Sequence, residues 1–306
     1  MTRLPVVIVG LMLGLFGQAE RAYAADDNEM IVAGSEAPDG KYPYQVRLYS
    51  SMDDKIGFCG GSIIGPQWVL TAAHCMTEGD FGKGPTTANS PDKVVVGYGS
   101  NDRTKTKKIE SEKIIVHPGY IAGEKADLAL VKLKQPIPDA AAINFADAAK
   151  EQALMPPGAT VTVTGWGAIW DFQAFQNAVD VMAGRKSVSE KKLLTNEELE
   201  APRKLHEVDI EVIDPKECKA VYESLQVPDF VVGDTEICAT GPTGGKDSCF
   251  GDSGGPLIVA DKGNDKGYTQ VGIVSWGPQC GNPLFPGVYT RVSSFSDWIE
   301  KNLQGN

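Results

Sequence analysis

Residues 251–256 read Gly251-Asp252-Ser253-Gly254-Gly255-Pro256, and the apolar run Leu257-Ile258-Val259 follows at once. Glycines and a proline this dense specify a turn in which backbone can approach another group closely. The run behind it is short and β-branched, so the stretch reads as a tight turn feeding a strand. The same pattern recurs on both sides. Gln45-Val46-Arg47-Leu48, Ser62-Ile63-Ile64, Val94-Val95-Val96, Lys113-Ile114-Ile115-Val116, Leu128-Ala129-Leu130-Val131 and Thr160-Val161-Thr162-Val163 precede it. Val271-Gly272-Ile273-Val274 and Val288-Tyr289-Thr290-Arg291-Val292 follow it. Runs of this length, bounded by Gly, Pro, Asn and Asp, predict an all-β sandwich or barrel.

Three segments depart from that pattern. Residues 136–158 are rich in Pro and Ala without strand alternation and read as a connector between two β-domains. Phe295, Trp298, Ile299 and Leu303 recur at helical spacing, which predicts a terminal amphipathic helix over 294–303. Residues 171–204 form a highly charged insertion, read first as a solvated surface segment and more sharply as an exosite for a substrate or partner.

Composition bounds the function. The chain has 306 residues, 42% of them hydrophobic, which is ordinary for a packed core and excludes wholesale disorder. Lys and Arg number 29 against 40 Asp and Glu, a net charge of −11. That balance argues against nucleic acid or an anionic membrane as partner, since both need a positive field. Six cysteines suit either three disulfides in a secreted chain or a metal or redox site in a cytosolic one.

The amino terminus chooses between these. Met1-Thr2-Arg3 is a short basic start, residues 4–16 are mostly apolar, and Ala22-Tyr23-Ala24 supplies a small-x-small cleavage pattern. The apolar run falls short of the about 20 residues that span a bilayer. Residues 1–24 therefore read as a secretory signal leading to an oxidising extracellular or periplasmic compartment, with no membrane contact in the mature protein.

Chemistry gathers at three places: Thr71-Ala72-Ala73-His74-Cys75, Asp127-Leu128-Ala129-Leu130 and the turn around Ser253. Singly, each has a plain explanation as a structural histidine, a turn acid or a glycine turn. Together, in the order His, Asp, Ser within a β-rich secreted chain, they are specific. From Ile31 to about Leu303 the chain resembles the chymotrypsin/trypsin family of serine endopeptidases. The resemblance implies two antiparallel six-stranded β-barrels, one at about 31–140 and one at about 155–292, followed by the terminal helix. It makes Ser253 the nucleophile, His74 the general base that takes its proton, and Asp127 the group that orients the imidazole. The backbone N–H groups of Gly251 and Ser253 would form the oxyanion hole. His117 and His206 match no catalytic motif and read as structural.

The resemblance also implies specificity. The residue six positions before the nucleophile, at the floor of the S1 pocket, is Asp247, which favours Arg or Lys in a substrate. Ser248 adds a hydroxyl beside it, and Ser275-Trp276-Gly277 with Gly287 would form open walls. The cysteines would pair as Cys59–Cys75, Cys218–Cys238 and Cys249–Cys280. Ile31-Val32-Ala33-Gly34 is similar to the amino terminus that family zymogens release. Residues 25–30 would be the propeptide, and the freed Ile31 ammonium would pair with Asp252.

Several positions depart from the family pattern. Met30 stands where trypsin-type zymogens carry Arg or Lys, so another protease is expected to activate the precursor. Between Gly97 and Lys108 only Asp102 is offered to a calcium ion, so no calcium site, metal or cofactor is expected. Glu124 would lie near the S2 subsite, and Phe250 beside the oxyanion glycine. Arg185, Lys186, Lys191, Lys192, Arg203 and Lys204 are candidate self-cleavage points if the insertion is loose. The expected partners are protein or peptide substrates, an activating protease and protein inhibitors, met by a monomer. Two other readings stay open: the same fold with narrowed specificity, and an inactive homologue that only binds.

Overall fold

The computed structural model describes residues 34–78, 87–121, 125–168, 202–224, 232–242, 244–282 and 284–305 of the chain. The signal segment, the propeptide, Ile31, Glu124 and most of the charged insertion lie outside the described residues.

Two closed antiparallel barrels of six strands make up the fold. In the first, Gln45–Tyr49 pairs with Cys59–Gly65, then come Trp68–Thr71, Ala129–Leu133, Lys107–Val116 and Val95–Tyr98, which returns to Gln45–Tyr49. In the second, Thr160–Gly165 pairs with His206–Val212, followed by Glu236–Thr240, Gly287–Arg291, Tyr268–Trp276 and Pro256–Ala260, which closes on Thr160–Gly165. Closure leaves no unpaired barrel edge, which removes the aggregation hazard of open strands. Val46, Leu48, Leu70, Leu130 and Val96 fill the first interior, and Val163, Ile210, Leu257, Val271 and Tyr289 fill the second. Most of these positions lie in the runs read from sequence; Leu70 and Ile210 lie in strands, Trp68–Thr71 and His206–Val212, that the sequence reading did not name.

A polar seam joins the barrels. Thr164 Oγ1 donates to Gln45 Oε1 at 2.6 Å, Ser62 Oγ donates to Gln270 Oε1 at 2.6 Å, and Gly60 N donates to the Ser253 carbonyl at 2.8 Å. Buried hydroxyls and amides need partners, and in these three bonds each barrel supplies one to the other, while Gln45 Nε2 is left without one among the described residues.

The segment 136–158 holds more than a linker. It contains a helix at Ala148–Leu154, capped by Asp147, whose carboxylate accepts Lys150 N at 2.7 Å. Buried Glu151 on this helix accepts from Arg291 and Ser293, and Ala146 N donates to the Gln270 carbonyl at 2.9 Å. Seven residues are two turns, too few for a helical period to show against a Pro- and Ala-rich background.

The end of the charged insertion is also firmer than its composition suggests. Arg203 donates twice to Asp102 Oδ2, at 2.9 and 2.6 Å, and Lys204 forms an antiparallel bridge with Asp102. Arg203 and Lys204 are therefore poor cleavage points, because a protease needs backbone that detaches into an extended strand. The other four candidate points lie outside the described residues. His206 is buried with Nδ1 at 2.8 Å from the Lys204 carbonyl, and His117 stacks edgewise on Phe295 and Trp298 with ring centroids 5.0 and 4.9 Å away.

The chain ends in a short 3₁₀ turn, Val292–Phe295, and a helix, Ser296–Gln304. Phe295 and Ile299 pack into the cluster centred on the first barrel, so the terminus of the second half clamps the first. Ile299 is fully buried. Its replacement, Ile299→Ala, is expected to lower unfolding free energy by about 2–5 kcal/mol, read by denaturant titration.

Candidate active site

Strand pairing brings together residues far apart in sequence. Thr71 lies opposite Ala129 in the first barrel. His74 follows the first of these strands in the turn His74–Met76, and Asp127 lies two residues before the start of the second, Ala129–Leu133. Asp127 Oδ2 stands 2.8 Å from His74 Nδ1, and Oδ1 accepts the His74 backbone N–H at 2.9 Å. The second barrel adds two contacts. Ser275 Oγ donates to Asp127 Oδ2 at 2.5 Å, and Thr290 Oγ1 donates to the Asp127 carbonyl at 2.8 Å.

Burial opposes charge on both partners, yet each favours the charged form of the other. Desolvation pushes His74 down, but the charge and hydrogen bond of Asp127 outweigh it and raise the imidazole above its ordinary 6.5. Desolvation likewise pushes Asp127 up, and His74, the Ser275 hydroxyl and the backbone N–H of His74 together bring it below its ordinary value.

Ser253 sits in the turn before Pro256–Ala260. Its carbonyl is tied to Gly60 of the first barrel, while Gly254 N donates to the Val274 carbonyl at 2.8 Å. Gly254 has φ 78°, and a Cβ there would lie 2.2 Å from Thr71 Oγ1 and 2.7 Å from the Gly60 carbonyl. A glycine is thus required where the serine turn presses against the histidine strand.

Asp252 is fully buried; its Oδ1 accepts Gly167 N at 2.7 Å and its Oδ2 accepts Cys249 N at 2.9 Å. Burial pushes this carboxyl up to about 6, against the pull of the two N–H groups and the Arg47 guanidinium.

Asp247 is 3% exposed and is pushed up to about 7 by burial, partly offset by hydrogen bonds to backbone N–H groups and to Tyr289. Gly281 N donates to its Oδ2 at 3.2 Å, and the Tyr289 hydroxyl lies 3.4 Å from Oδ1. The Ser248 hydroxyl is 3.1 Å from that of Tyr289. Above the acid, a Cβ on Gly287 would fall 2.5 Å from Asp247 Oδ1, whereas one on Gly277 would meet only the Gly287 Cα, at 3.8 Å. The two glycines leave the acid reachable from the side where they face each other. Trp276 Nε1 donates to Glu236 Oε1 at 2.7 Å, which fixes the plane of the indole.

Three disulfides, Cys59–Cys75, Cys218–Cys238 and Cys249–Cys280, surround the site in the pairing the resemblance implies. The donor atoms of Cys59, His74 and Cys75 lie within 4.8 Å of one another. Both sulfurs are bonded in a disulfide, so no thiolate is offered and the group is a poor fit to a metal.

Ser275, expected from the sequence among the substrate-lining residues, also spends its hydroxyl on Asp127. Thr290 and Tyr289 were not singled out at all. Their side chains reach the site only because Gly287–Arg291 pairs with Tyr268–Trp276, a register that no local motif announces.

Comparison with known proteins agrees with this architecture. The family model described as Trypsin matches residues 31–195 and 192–299. A mouse (Mus musculus) protein named Tryptase is 37% identical over 280 residues, covering 89% of this chain and 88% of its own. The chain belongs to the trypsin family of serine endopeptidases.

Proposed function

We propose that this endopeptidase is secreted and cleaves peptide bonds after Arg or Lys through His74, Asp127 and Ser253. The observation that carries the reading is Asp247, a buried acid beneath two glycines. A guanidinium or ammonium entering there gains a charge partner in a water-poor pocket, and Ser248 and Tyr289 supply hydroxyls beside it. The name of the mouse relative, Tryptase, supports the same preference.

In the proposed reaction Ser253 Oγ attacks the carbonyl carbon while His74 Nε2 accepts its proton. The carbonyl oxygen becomes an oxyanion held by the N–H groups of Gly251 and Ser253. Collapse breaks the C–N bond, His74 returns the proton to the leaving amine, and an acyl-enzyme remains. Water, deprotonated by His74, then releases the acid and restores Ser253. Asp127 holds the imidazole orientation throughout and balances its transient charge.

Residues 1–24 as signal, 25–30 as propeptide and 31–306 as the protease domain complete the proposal. Release before Ile31 would free an ammonium for Asp252, a carboxylate whose burial leaves it in need of a cation. The three disulfides fit an oxidising compartment. A monomer acting on proteins, checked by protein inhibitors, is the simplest assembly consistent with it.

Four measurements test the reading. His74 must be neutral to accept a proton, and its pairing raises the imidazole above 6.5. So kcat/KM is expected to climb with pH through a midpoint above that value, and a midpoint below it would contradict the pairing. Asp247→Asn is expected to lower kcat/KM for Arg and Lys substrates by about 10²–10³-fold, the loss expected when one partner of a buried ion pair is removed. Benzamidine affinity in Ser253→Ala should fall as the pH drops below about 7, where Asp247 takes up a proton, and stay level above it. Finally, Met30 suits a pocket floored by an acid poorly. Pure precursor seeded with trace mature enzyme should not acquire an Ile31 amino terminus, as read by amino-terminal sequencing; rapid, concentration-dependent conversion would overturn this.

A further inference from the structure

Arg47 lies on the first-barrel strand Gln45–Tyr49 and is 2% exposed. Burying a guanidinium is expensive unless its N–H groups are satisfied. Here three backbone carbonyls satisfy it. Nε donates to Ile56 at 3.1 Å, Nη2 to Gly57 at 3.0 Å, and Nη1 to Gly251 at 2.6 Å. The first two carbonyls belong to a loop shaped by Asp54, whose carboxylate accepts the N–H groups of Ser50, Ile56 and Gly57. A Cβ on Gly57 would lie 2.7 Å from Arg47 Nε, so this loop is fitted around the guanidinium. The third carbonyl crosses to the second barrel and belongs to the glycine assigned to the oxyanion hole.

Gly251 has φ 95° and no side chain to restrict it, so the peptide planes on either side set its direction. Its own carbonyl is held by Arg47. The carbonyl before it, that of Phe250, accepts Ala168 N at 2.7 Å, and the N–H after it, that of Asp252, donates to the Cys249 carbonyl at 2.9 Å. In a planar trans peptide the N–H points opposite to the C=O. With the Phe250 carbonyl turned to Ala168, the Gly251 N–H is turned the other way. Of the bonds that fix this glycine, the one from Arg47 is charge-assisted and the strongest in kind. It also ties the turn to the barrel that carries His74.

We propose that Arg47 is a positioning residue for catalysis. Its guanidinium pins the peptide after Gly251 while the Ala168 bond holds the peptide before it, and the two together stop rotation about the glycine and keep its N–H facing the oxygen that becomes negative in the transition state. The inference rests on the reading of Gly251 and Ser253 as oxyanion donors. Such donors act where charge develops, so the loss of Arg47 should appear in turnover and not in ground-state binding.

The test compares Arg47→Met, Arg47→Lys, Gly57→Ala and Ser253→Ala in the activated full-length enzyme, with an Arg-containing peptide amide, benzamidine and a peptide boronate as probes. Arg47→Met is expected to lower kcat by about 10- to 100-fold, less than deleting a donor outright, with KM and benzamidine affinity within about twofold. Boronate affinity should fall by the same factor as kcat/KM, because its tetrahedral adduct carries the anionic oxygen. Arg47→Lys, which keeps a cation, should recover part of the loss. Gly57→Ala keeps the cation but displaces it, and should reproduce the kcat-selective defect even if Arg47→Met fails to fold. Unchanged kcat in both Arg47→Met and Gly57→Ala would overturn the inference, as would equal weakening of benzamidine and boronate. Activity surviving in Ser253→Ala would instead overturn the underlying assignment of the site.

Discussion

The Asp127 carboxylate is the constraint on which the rest of the molecule turns. It is 5% exposed, and a carboxylate so buried is tolerated only with full hydrogen bonding. Two of its bonds come from His74 on its own barrel and one from Ser275 on the other, while Thr290 binds its backbone carbonyl. Neither barrel alone can satisfy it. Docking of the two halves therefore completes the hydrogen bonding of the His–Asp pair, and the seam residues Gln45, Ser62, Thr164 and Gln270 likewise bond across the barrels with uncharged groups.

Three buried aspartates show how environment divides labour among identical side chains. Asp127 is held below the ordinary value by the imidazole beside it, whereas Asp252 rises to about 6 and Asp247 to about 7. The latter two are surrounded mainly by backbone N–H groups and hydroxyls, which stabilise a carboxylate less than a neighbouring cation does. In the proposed reading a positive group settles each: a substrate side chain over Asp247 and an amine over Asp252. The proposed pocket and the proposed switch would then share one device, a buried acid whose burial outweighs the groups that hold it charged.

Much of this was legible in the residues. Short β-branched runs found nine of the twelve barrel strands and missed Trp68–Thr71, His206–Val212 and Glu236–Thr240, and Phe295, Ile299 and Leu303 found the terminal helix through their period. The motifs around His74, Asp127 and Ser253 pointed to the family because their resemblance to it is specific. What stayed hidden depends on contacts between elements remote in sequence. Arg47 looks like an outward polar residue of an alternating strand, and only the packing of Gly251 against that strand shows it to be internal. The helix Ala148–Leu154 escaped because seven residues show no period, and Thr290 because a threonine in a strand is unremarked until its register is known.

The placement of the last helix bears on when the molecule becomes dangerous to its maker. Ribosomes deliver the chain from its amino end, so the barrel bearing His74 and Asp127 is available early and is chemically inert. Ser253, Ser275 and Thr290 all come from the final stretch of the sequence, and Phe295 and Ile299, which lock that stretch onto the first barrel, come later still. A chain made only as far as the first barrel thus lacks Ser253, the proposed nucleophile, the hydroxyls on Asp127 and the clamp that holds them in place. The order of parts along the chain sets the proposed catalytic group after the barrel it must meet.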